Sequence, residues 1–193
     1  MLDVDDYMWD KVCYYIKQLE KEGKTPVPIS INVSRMHVYQ EDFIDRIKKI
    51  TSKYDINQKL IHLEITESAF TSEESSLYRK IKSLQDCGYR FSMDDFGSGY
   101  SSLGMLKDEH VDEVKIDKTF VDDIATDKGR ILLKNVIQMI GALGIDMIAE
   151  GVETKEQADF LVNNGCIYAQ GYYYYRPMPI EDFVLLLEKS GKE

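Results

Sequence analysis

Seven polar or charged residues lie near the ends of short segments in which apolar and polar residues alternate. Residues 29–34 read Ile-Ser-Ile-Asn-Val-Ser, and residues 61–66 read Ile-His-Leu-Glu-Ile-Thr. A period of two is typical of β-strands, because successive side chains point to opposite faces. Each strand therefore has one apolar face and one polar face. The polar residues at the predicted strand ends are Asn32, Glu64, Asp94, Asp95, Lys115, Glu150 and Gln170.

Four of these seven residues are carboxylates, and this composition indicates a metal site. Carboxylates that meet at one place raise one another's pKa unless cations neutralise them. Mg²⁺ and Mn²⁺ prefer oxygen ligands, and Asn32 adds a neutral oxygen to the set. The neighbours Asp94 and Asp95 can serve two ions. Two metals about 3.5–4 Å apart suit phosphodiester hydrolysis, because they hold the attacking and leaving oxygens.

A single polar residue at a strand end is explained equally well by helix capping or by contact with water. Six successive strands that end in this way, four of them with carboxylate or amine groups, are not explained so simply. His62 shares a strand face with Glu64 but lies two residues deeper, so we expect a core or supporting role for it.

The elements that position these residues alternate regularly along the chain. An amphipathic helix is predicted over residues 7–19, before the first strand. Six strands follow, and helical stretches lie between and after them. Such alternation predicts βαβ units and a parallel sheet. The strands are predicted near residues 28–33, 60–66, 90–95, 111–117, 145–150 and 167–170, and the later helices near 42–54, 73–84, 129–143, 155–163 and 180–188.

The number of units predicts an α/β fold of the (β/α)₈, TIM-like barrel type that is incomplete. Such a barrel has eight strands and typically about 250 residues, whereas six strand–helix units preceded by one helix are visible here. Residues 1–193 are therefore expected to form a single barrel domain, truncated at its N-terminus or closed by a partner. Barrel enzymes carry their chemistry at the C-terminal ends of the strands, where the polar residues lie. A doubly wound open sheet is the structural alternative.

Composition and charge narrow the possible partners. The chain is 44% hydrophobic and 30% charged, as expected for an ordinary folded domain. Its net charge of −10 makes DNA and RNA unfavourable ligands.

No apolar run approaches the roughly 18 residues of a membrane span, and acidic residues stand where a signal peptide would be basic. Three cysteines without a C-x-x-C spacing indicate neither a disulfide framework nor zinc. A cytoplasmic location is the resulting expectation.

Seven short motifs resemble, in order and spacing, those of the EAL domain family. They cover essentially the whole chain. The resemblance implies a (β/α)₈ barrel that hydrolyses cyclic di-GMP to linear pGpG with Mg²⁺ or Mn²⁺. The motifs are Asn-Val-Ser (32–34), Glu-Ile-Thr-Glu (64–67), Asp-Asp-Phe-Gly-Ser-Gly-Tyr-Ser-Ser (94–102), Lys-Ile-Asp (115–117), Glu-Gly-Val-Glu-Thr (150–154), Gln-Gly-Tyr (170–172) and Arg-Pro-Met-Pro (176–179).

The same resemblance implies a role for each matching residue. Lys115 would hold the attacking water, Glu150 would assist it, and Asp95 would bridge the metals or bind the second one. The implied metal ligands are Asn32, Glu64, Asp94, Asp95 and Gln170.

The resemblance also implies residues that act outside the metal centre. Glu67 would steady the loop of residues 95–102, which in the family couples substrate binding to dimer contacts. Substrate contacts are expected from Gly97, Ser98, Tyr100 and Arg176.

One departure from the family pattern leaves alternatives open. The Glu-Ala-Leu signature, whose Glu is a metal ligand on the first barrel strand, is absent from this sequence. The leading hypothesis is a truncated piece of a competent phosphodiesterase, which forms a homodimer and is fused to sensory or diguanylate cyclase modules. A catalytically inactive cyclic di-GMP receptor or interaction module is the second hypothesis. A third is an enolase-like barrel with Lys115 as base, against which the order of the motifs argues.

Overall fold

The computed structural model describes residues 2–69, 74–98, 106 and 111–190 of the chain. Its centre is a sheet of six parallel strands, in which each strand pairs with the next one along the sequence. The strands are β1 (Ile29–Asn32), β2 (Ile61–Thr66), β3 (Arg90–Phe96), β4 (Glu113–Ile116), β5 (Asp146–Ala149) and β6 (Tyr168–Ala169).

The strand order identifies the sheet as part of a barrel. A doubly wound sheet reverses its strand order at a switch point, whereas the order here runs from β1 to β6 without reversal. The strands form a curled half-barrel surrounded by helices, so the predicted TIM-like fold class is confirmed. Within the described ranges, neither the outer edge of β1 nor that of β6 has a strand partner.

Helices follow the strands and cover the outside of the sheet. The sequence pattern predicted the long ones to within a few residues but missed the two short helices α2 and α5, which complete too few turns to show a period of 3.6. Within the described part of the chain, no helix is both long and apolar enough to cross a membrane. The helices are α1 (Leu2–Lys21), α2 (Arg35–Val38), α3 (Phe43–Tyr54), α4 (Glu74–Gln85), α5 (Lys118–Asp122), α6 (Asp127–Ala142), α7 (Lys155–Asn163) and α8 (Ile180–Ser190).

Side-chain caps determine where helices begin after the strands. Thr154 and Gln157 form a reciprocal capping box at the start of α7, with the Gln157 side chain accepting from the backbone of Thr154 at 2.9 Å. At the start of α5, Asp117 accepts from the backbone N–H of Thr119 at 2.9 Å. These caps keep the connections after β4 and β5 short, and therefore position the residues that end those strands.

The apolar strand face packs outward under the helices, as the alternation predicted. Ile31, Leu63 and Ile116 are each at most 5% exposed. They pack in one cluster with helix residues such as Ile47 and Leu133. Burial of an aliphatic side chain of this size contributes about 1.5–3 kcal/mol. Because the apolar side chains of the strands pack against the helices, the polar side chains on the opposite face point toward the barrel axis.

The burial of two cysteines makes a testable prediction about thiol reactivity. Burial raises the pKa of Cys13 to about 12 and that of Cys166 to about 11, whereas Cys87 is exposed. At pH 8 both buried thiols stay protonated, and only the thiolate reacts. A disulfide reagent such as DTNB should therefore titrate Cys87 alone in the folded chain and all three thiols in denaturant.

The Cys87→Ser variant is the matched control for this titration. It should show no fast-reacting thiol before denaturation. Fast reaction of more than one thiol in the folded, unsubstituted chain would contradict the burial of Cys13 on α1 or of Cys166 just before β6.

Candidate active site

A buried lysine lies at the centre of the polar cluster at the C-terminal ends of the strands. Lys115 Nζ is 2.7 Å from Glu150 Oε1, 2.9 Å from Asp94 Oδ1 and 3.1 Å from Glu64 Oε1. Its side chain is only 7% exposed. Carboxylates at the ends of three strands thus converge on the ammonium group carried by a fourth. The structure therefore brings together four of the residues that the sequence singled out.

The charges of this cluster change the acidity of its members. Burial alone would lower the pKa of Lys115, but the hydrogen bond to Glu150 and the charges of Glu64 and Asp94 outweigh burial and raise it. Burial raises the pKa of Glu150, and Lys115 offsets this only in part. In this arrangement Lys115 is a cation that partly compensates three carboxyl groups.

A β-bulge brings Asp94 and Asp95 to the same side of the sheet. In a regular strand, adjacent side chains point to opposite faces. Here the pairing of β3 with β4 shifts register between Met93 and Phe96, and Asp95 has a left-handed φ of 57°. Bulges re-aim side chains in this way and are common beside active sites. Burial and then the negative charge of Asp94 raise the pKa of Asp95.

The three carboxylates Asp94, Asp95 and Glu150 form a candidate metal site. One oxygen from each lies within 4.8 Å of the others, and among the described residues no other group of His, Cys, Asp and Glu meets this criterion. Asp94 Oδ1 is buried and, although close to Lys115, makes no contact with hydrogen-bond geometry. An all-oxygen donor set, in which one buried oxygen pairs with Lys115 but accepts no hydrogen bond, fits a hard divalent cation such as Mg²⁺ or Mn²⁺.

The remaining predicted ligands lie around this group. Asn32 pairs in register with Glu64, on the same face of the sheet, and is exposed. Gln170 donates from Nε2 to Glu150 Oε1 at 2.5 Å, so it contacts the carboxylate group through Glu150. The sequence motif identified Gln170 as a ligand candidate but contained no signal for this partner.

Glu67 contacts the turn at Gly97, directly after β3. It is 3% exposed, and its Oε2 accepts from the backbone N–H of Gly97 at 3.1 Å. Gly97 has a φ of 93°, and a Cβ at this position would overlap the ring of Phe120, so the turn requires glycine. Ser98 is exposed and donates from its backbone N–H to the Asp95 carbonyl at 3.0 Å. Tyr100 lies outside the described residues.

A cleft of about 510 Å³ lies beside the carboxylate group. Arg176 lies in it with its guanidinium 4.4 Å from the ring centroid of Tyr172. Lys118, which the sequence analysis did not select, lines the same cleft and bonds Glu153 at 2.8 Å. In the sequence, the signal for Lys118 was its position directly after the Lys-Ile-Asp motif. Gln170 also lines the cleft and so connects it to Glu150.

A second polar layer lies two residues deeper in the barrel. Glu113 is 6% exposed and Ser92 is fully buried, and His62 Nδ1 lies 3.8 Å from Glu113 Oε1. Burial would raise the pKa of Glu113, but His62, Ser92 and Arg90 together hold it below its usual value. Glu113 lies two residues before Lys115, on the same face of β4. His62 thus has the supporting position that the sequence suggested.

The parallel half-barrel and the oxygen-rich carboxylate group at its mouth define a β/α-barrel protein with a candidate divalent-metal site. The chain belongs to the EAL domain family, whose model matches residues 1–177.

Curated relatives and a solved structure resemble the chain over most of its length. It is 36% identical over 165 residues to the "Probable cyclic di-GMP phosphodiesterase PdeG" of Escherichia coli (strain K12), a match to 85% of this chain and 32% of that protein. It is 29% identical over 185 residues to the "Bifunctional diguanylate cyclase/cyclic di-GMP phosphodiesterase MucR" of Pseudomonas aeruginosa (strain PAO1), covering 95% of this chain and 27% of that protein.

The solved structure "PaMucR Phosphodiesterase, c-di-GMP complex" superimposes with a TM-score of 0.88 and 28% identity, covering 94% of this chain and 74% of that chain. The chain thus spans about a third or less of these curated relatives and most of the solved domain.

The left-handed backbone conformation of Asp95 predicts that a glycine at this position is more stable than an alanine, while either replacement weakens metal binding. A side chain in this region costs about 1–2 kcal/mol, a cost that glycine avoids. The free energy of unfolding of Asp95→Gly should therefore exceed that of Asp95→Ala by about 1 kcal/mol in urea denaturation. Both variants should bind Mn²⁺ more weakly than the unsubstituted chain. Equal stability of the two variants would contradict the bulge geometry.

Proposed function

We propose that this chain is part of a phosphodiesterase that hydrolyses cyclic di-GMP to linear pGpG in bacterial second-messenger signalling. The observation that carries the proposal is the convergence of Glu64, Asp94 and Glu150 on Lys115, with Asp95 turned to the same side by the bulge. The names of the relatives support the substrate, because PdeG is described as a probable cyclic di-GMP phosphodiesterase and the solved PaMucR structure as a cyclic di-GMP complex.

The proposed cofactors are two Mg²⁺ or Mn²⁺ ions. Asp94, Asp95 and Glu150 would hold them, with Glu64 and Asn32 adding oxygens from the neighbouring strands. When bound, such ions supply a nucleophilic water at neutral pH and stabilise charge on the phosphodiester.

The side chains around the carboxylates would position the reactants. The Lys115 ammonium has three N–H donors and lies within reach of every carboxylate that surrounds it. Metal ions bound to these carboxylates would compete with the ammonium for their oxygens, and we propose that the donors released in this way orient the attacking water and a phosphate oxygen. Glu150 Oε1 accepts from both Lys115 and Gln170, so two donors hold the orientation of this carboxylate. Glu67 would hold the loop after β3 through Gly97.

The substrate is proposed to extend from the carboxylate group into the cleft beside Gln170. Arg176 supplies positive charge there, while Lys118 is paired with Glu153 and Asp122, and Tyr172 supplies a flat aromatic surface. Local cations are needed, because a chain with a net charge of −10 repels an anionic dinucleotide in general. Gly97, Ser98 and Tyr100 are proposed as further contacts from the loop after β3.

The proposed biological unit is larger than the described sheet. Two further strands between β6 and β1 would complete an eight-stranded barrel and cover the edges that have no strand partner within the described residues. We also propose a homodimer within a longer protein that carries sensory or diguanylate cyclase modules, since MucR is described as bifunctional. The three unpaired cysteines fit a cytoplasmic setting.

A cyclic di-GMP receptor without turnover is the second candidate. The exposure of Asn32 on β1, an edge strand among the described residues, favours it for this polypeptide. A site that lacks a neighbouring strand on this side could retain the ligand cleft and lose metal affinity.

Hydrolysis of cyclic di-GMP in the presence of Mn²⁺ separates the two candidates. The chain should be compared with a version extended at its N-terminus by about 50–60 residues, roughly a strand–helix–strand segment of a barrel. We expect pGpG from the extended protein and little or none from the 193-residue chain. If neither protein turns the ligand over while both bind it, the receptor hypothesis replaces the phosphodiesterase.

Substitutions in the extended protein test the assigned residues. Asp94→Asn and Lys115→Ala should each lower kcat on the order of 100-fold or more, because each removes a charge from the reacting centre. Lys134→Ala removes a lysine from the exposed face of α6 and should leave kcat unchanged. Turnover by Asp94→Asn or Lys115→Ala within twofold of the unsubstituted protein would refute these roles.

A further inference from the structure

The peptide group that follows Asn32 is held from both sides. Its carbonyl oxygen accepts from Trp9 Nε1 at 2.9 Å, and its N–H, that of Val33, donates to the Glu64 carbonyl at 2.8 Å. The second contact continues the sheet toward β2. The first comes from helix α1, 23 residues earlier in the chain. The end of β1 is therefore located by two hydrogen bonds in opposite directions.

The bond from Trp9 gives the Asn32 carbonyl a partner that the described part of the sheet does not supply. β1 is the edge strand of the described sheet, so its outer carbonyl groups have no ladder partner there. The Asn32 side chain is exposed and gains little from packing. The direction in which Asn32 projects its amide therefore depends on how firmly its backbone is held.

Trp9 is itself held in a fixed place. It is 1% exposed, and its ring lies 4.6 Å from that of His37 and 6.5 Å from that of Phe43, measured between centroids. Close packing on two sides restricts the indole to one orientation. The direction of the Nε1–H bond is a consequence of this packing.

Charged residues of α1 and α3 hold His37 in turn. His37 is fully buried, with Nδ1 3.0 Å from Asp5 Oδ2 and Nε2 3.2 Å from Asp6 Oδ1. Arg46 Nη1 bonds the other oxygen of Asp6 at 2.9 Å. Each ring nitrogen thus faces a carboxylate, which prevents rotation of the ring under Trp9.

We propose that Trp9 is a positioning residue, which sets the orientation of Asn32 and through it the affinity of the metal site. The inference rests on the proposed function, because it takes Asn32 to be a metal ligand. His37 supports the same arrangement by holding the indole. Loss of the indole N–H leaves the Asn32 carbonyl without this hydrogen bond at the edge of the described sheet. The side-chain amide of Asn32 can then rotate away from Glu64.

A double-mutant cycle on Mn²⁺ affinity tests this coupling. Trp9→Phe keeps an aromatic ring against His37 but removes the N–H, and should weaken Mn²⁺ binding about 10-fold, as loss of an outer contact to a ligand typically does. Asn32→Ala should weaken it at least as much. In the Asn32→Ala background, Trp9→Phe should have no further effect. Free Mn²⁺, measured by electron paramagnetic resonance, gives the affinities without any assay of activity.

Two controls separate positioning from a general loss of packing. Ile137→Val removes buried packing from α6 and leaves Trp9 and its two ring neighbours in place, so it should lower the melting temperature and leave Mn²⁺ affinity unchanged. The chain has one tryptophan, so biosynthetic incorporation of benzothienylalanine replaces only this indole with an isostere that lacks the N–H. This isostere should reproduce the 10-fold loss, and it serves as the test if Trp9→Phe fails to fold.

The outcomes distinguish the two proposals from each other. Normal Mn²⁺ affinity in the benzothienyl protein, or equal effects of Trp9→Phe with and without Asn32, overturns the positioning role of Trp9. Normal affinity in Asn32→Ala, or no Mn²⁺ binding by either the unsubstituted chain or its N-terminally extended version, overturns the metal assignment itself and this inference with it.

Discussion

The ion cluster around Lys115 is the constraint on which the rest of the site depends. Three carboxylates from three different strands lie within 3.1 Å of one buried ammonium group. Burying a charge without a partner costs several kcal/mol, so Lys115 and its carboxylates are stable in this position only together. The strands that supply them must hold register with one another. The apolar outer faces of the strands, packed under the helices, provide that register.

Backbone strain is concentrated where the candidate chemistry is. Asp95 adopts a left-handed conformation beside a shift in strand register, and Gly97 turns the chain immediately afterwards. Strain of about 1–3 kcal/mol persists only where the surroundings impose it. Here β4 on one side and the buried Glu67 on the other impose it. The strained backbone at Asp95 lowers local stability, and it places two adjacent carboxylates on one side of the sheet.

Electrostatics indicates how an acidic domain would take the proposed anionic ligand. The overall charge of −10 opposes binding of a dinucleotide, while the oxygen-rich carboxylate group favours divalent cations. The cleft beside it adds Lys118 and Arg176. Arg176 and the ion-paired Lys118 thus place cationic groups beside the carboxylates, where they would favour a phosphate group.

The sequence by itself determined the parallel α/β architecture, the six strands and the polar residues at their ends. These follow from a period of two in the strands and of 3.6 in the helices, which depends only on near neighbours. The tertiary structure alone decided that Asp94 and Asp95 lie side by side, that Gln170 bonds Glu150 and that Trp9 holds the carbonyl of Asn32. A bulge is a relation between two strands, and the two hydrogen bonds join residues 20 and 23 positions apart. Such contacts are set by how distant elements dock, and no local pattern contains that information.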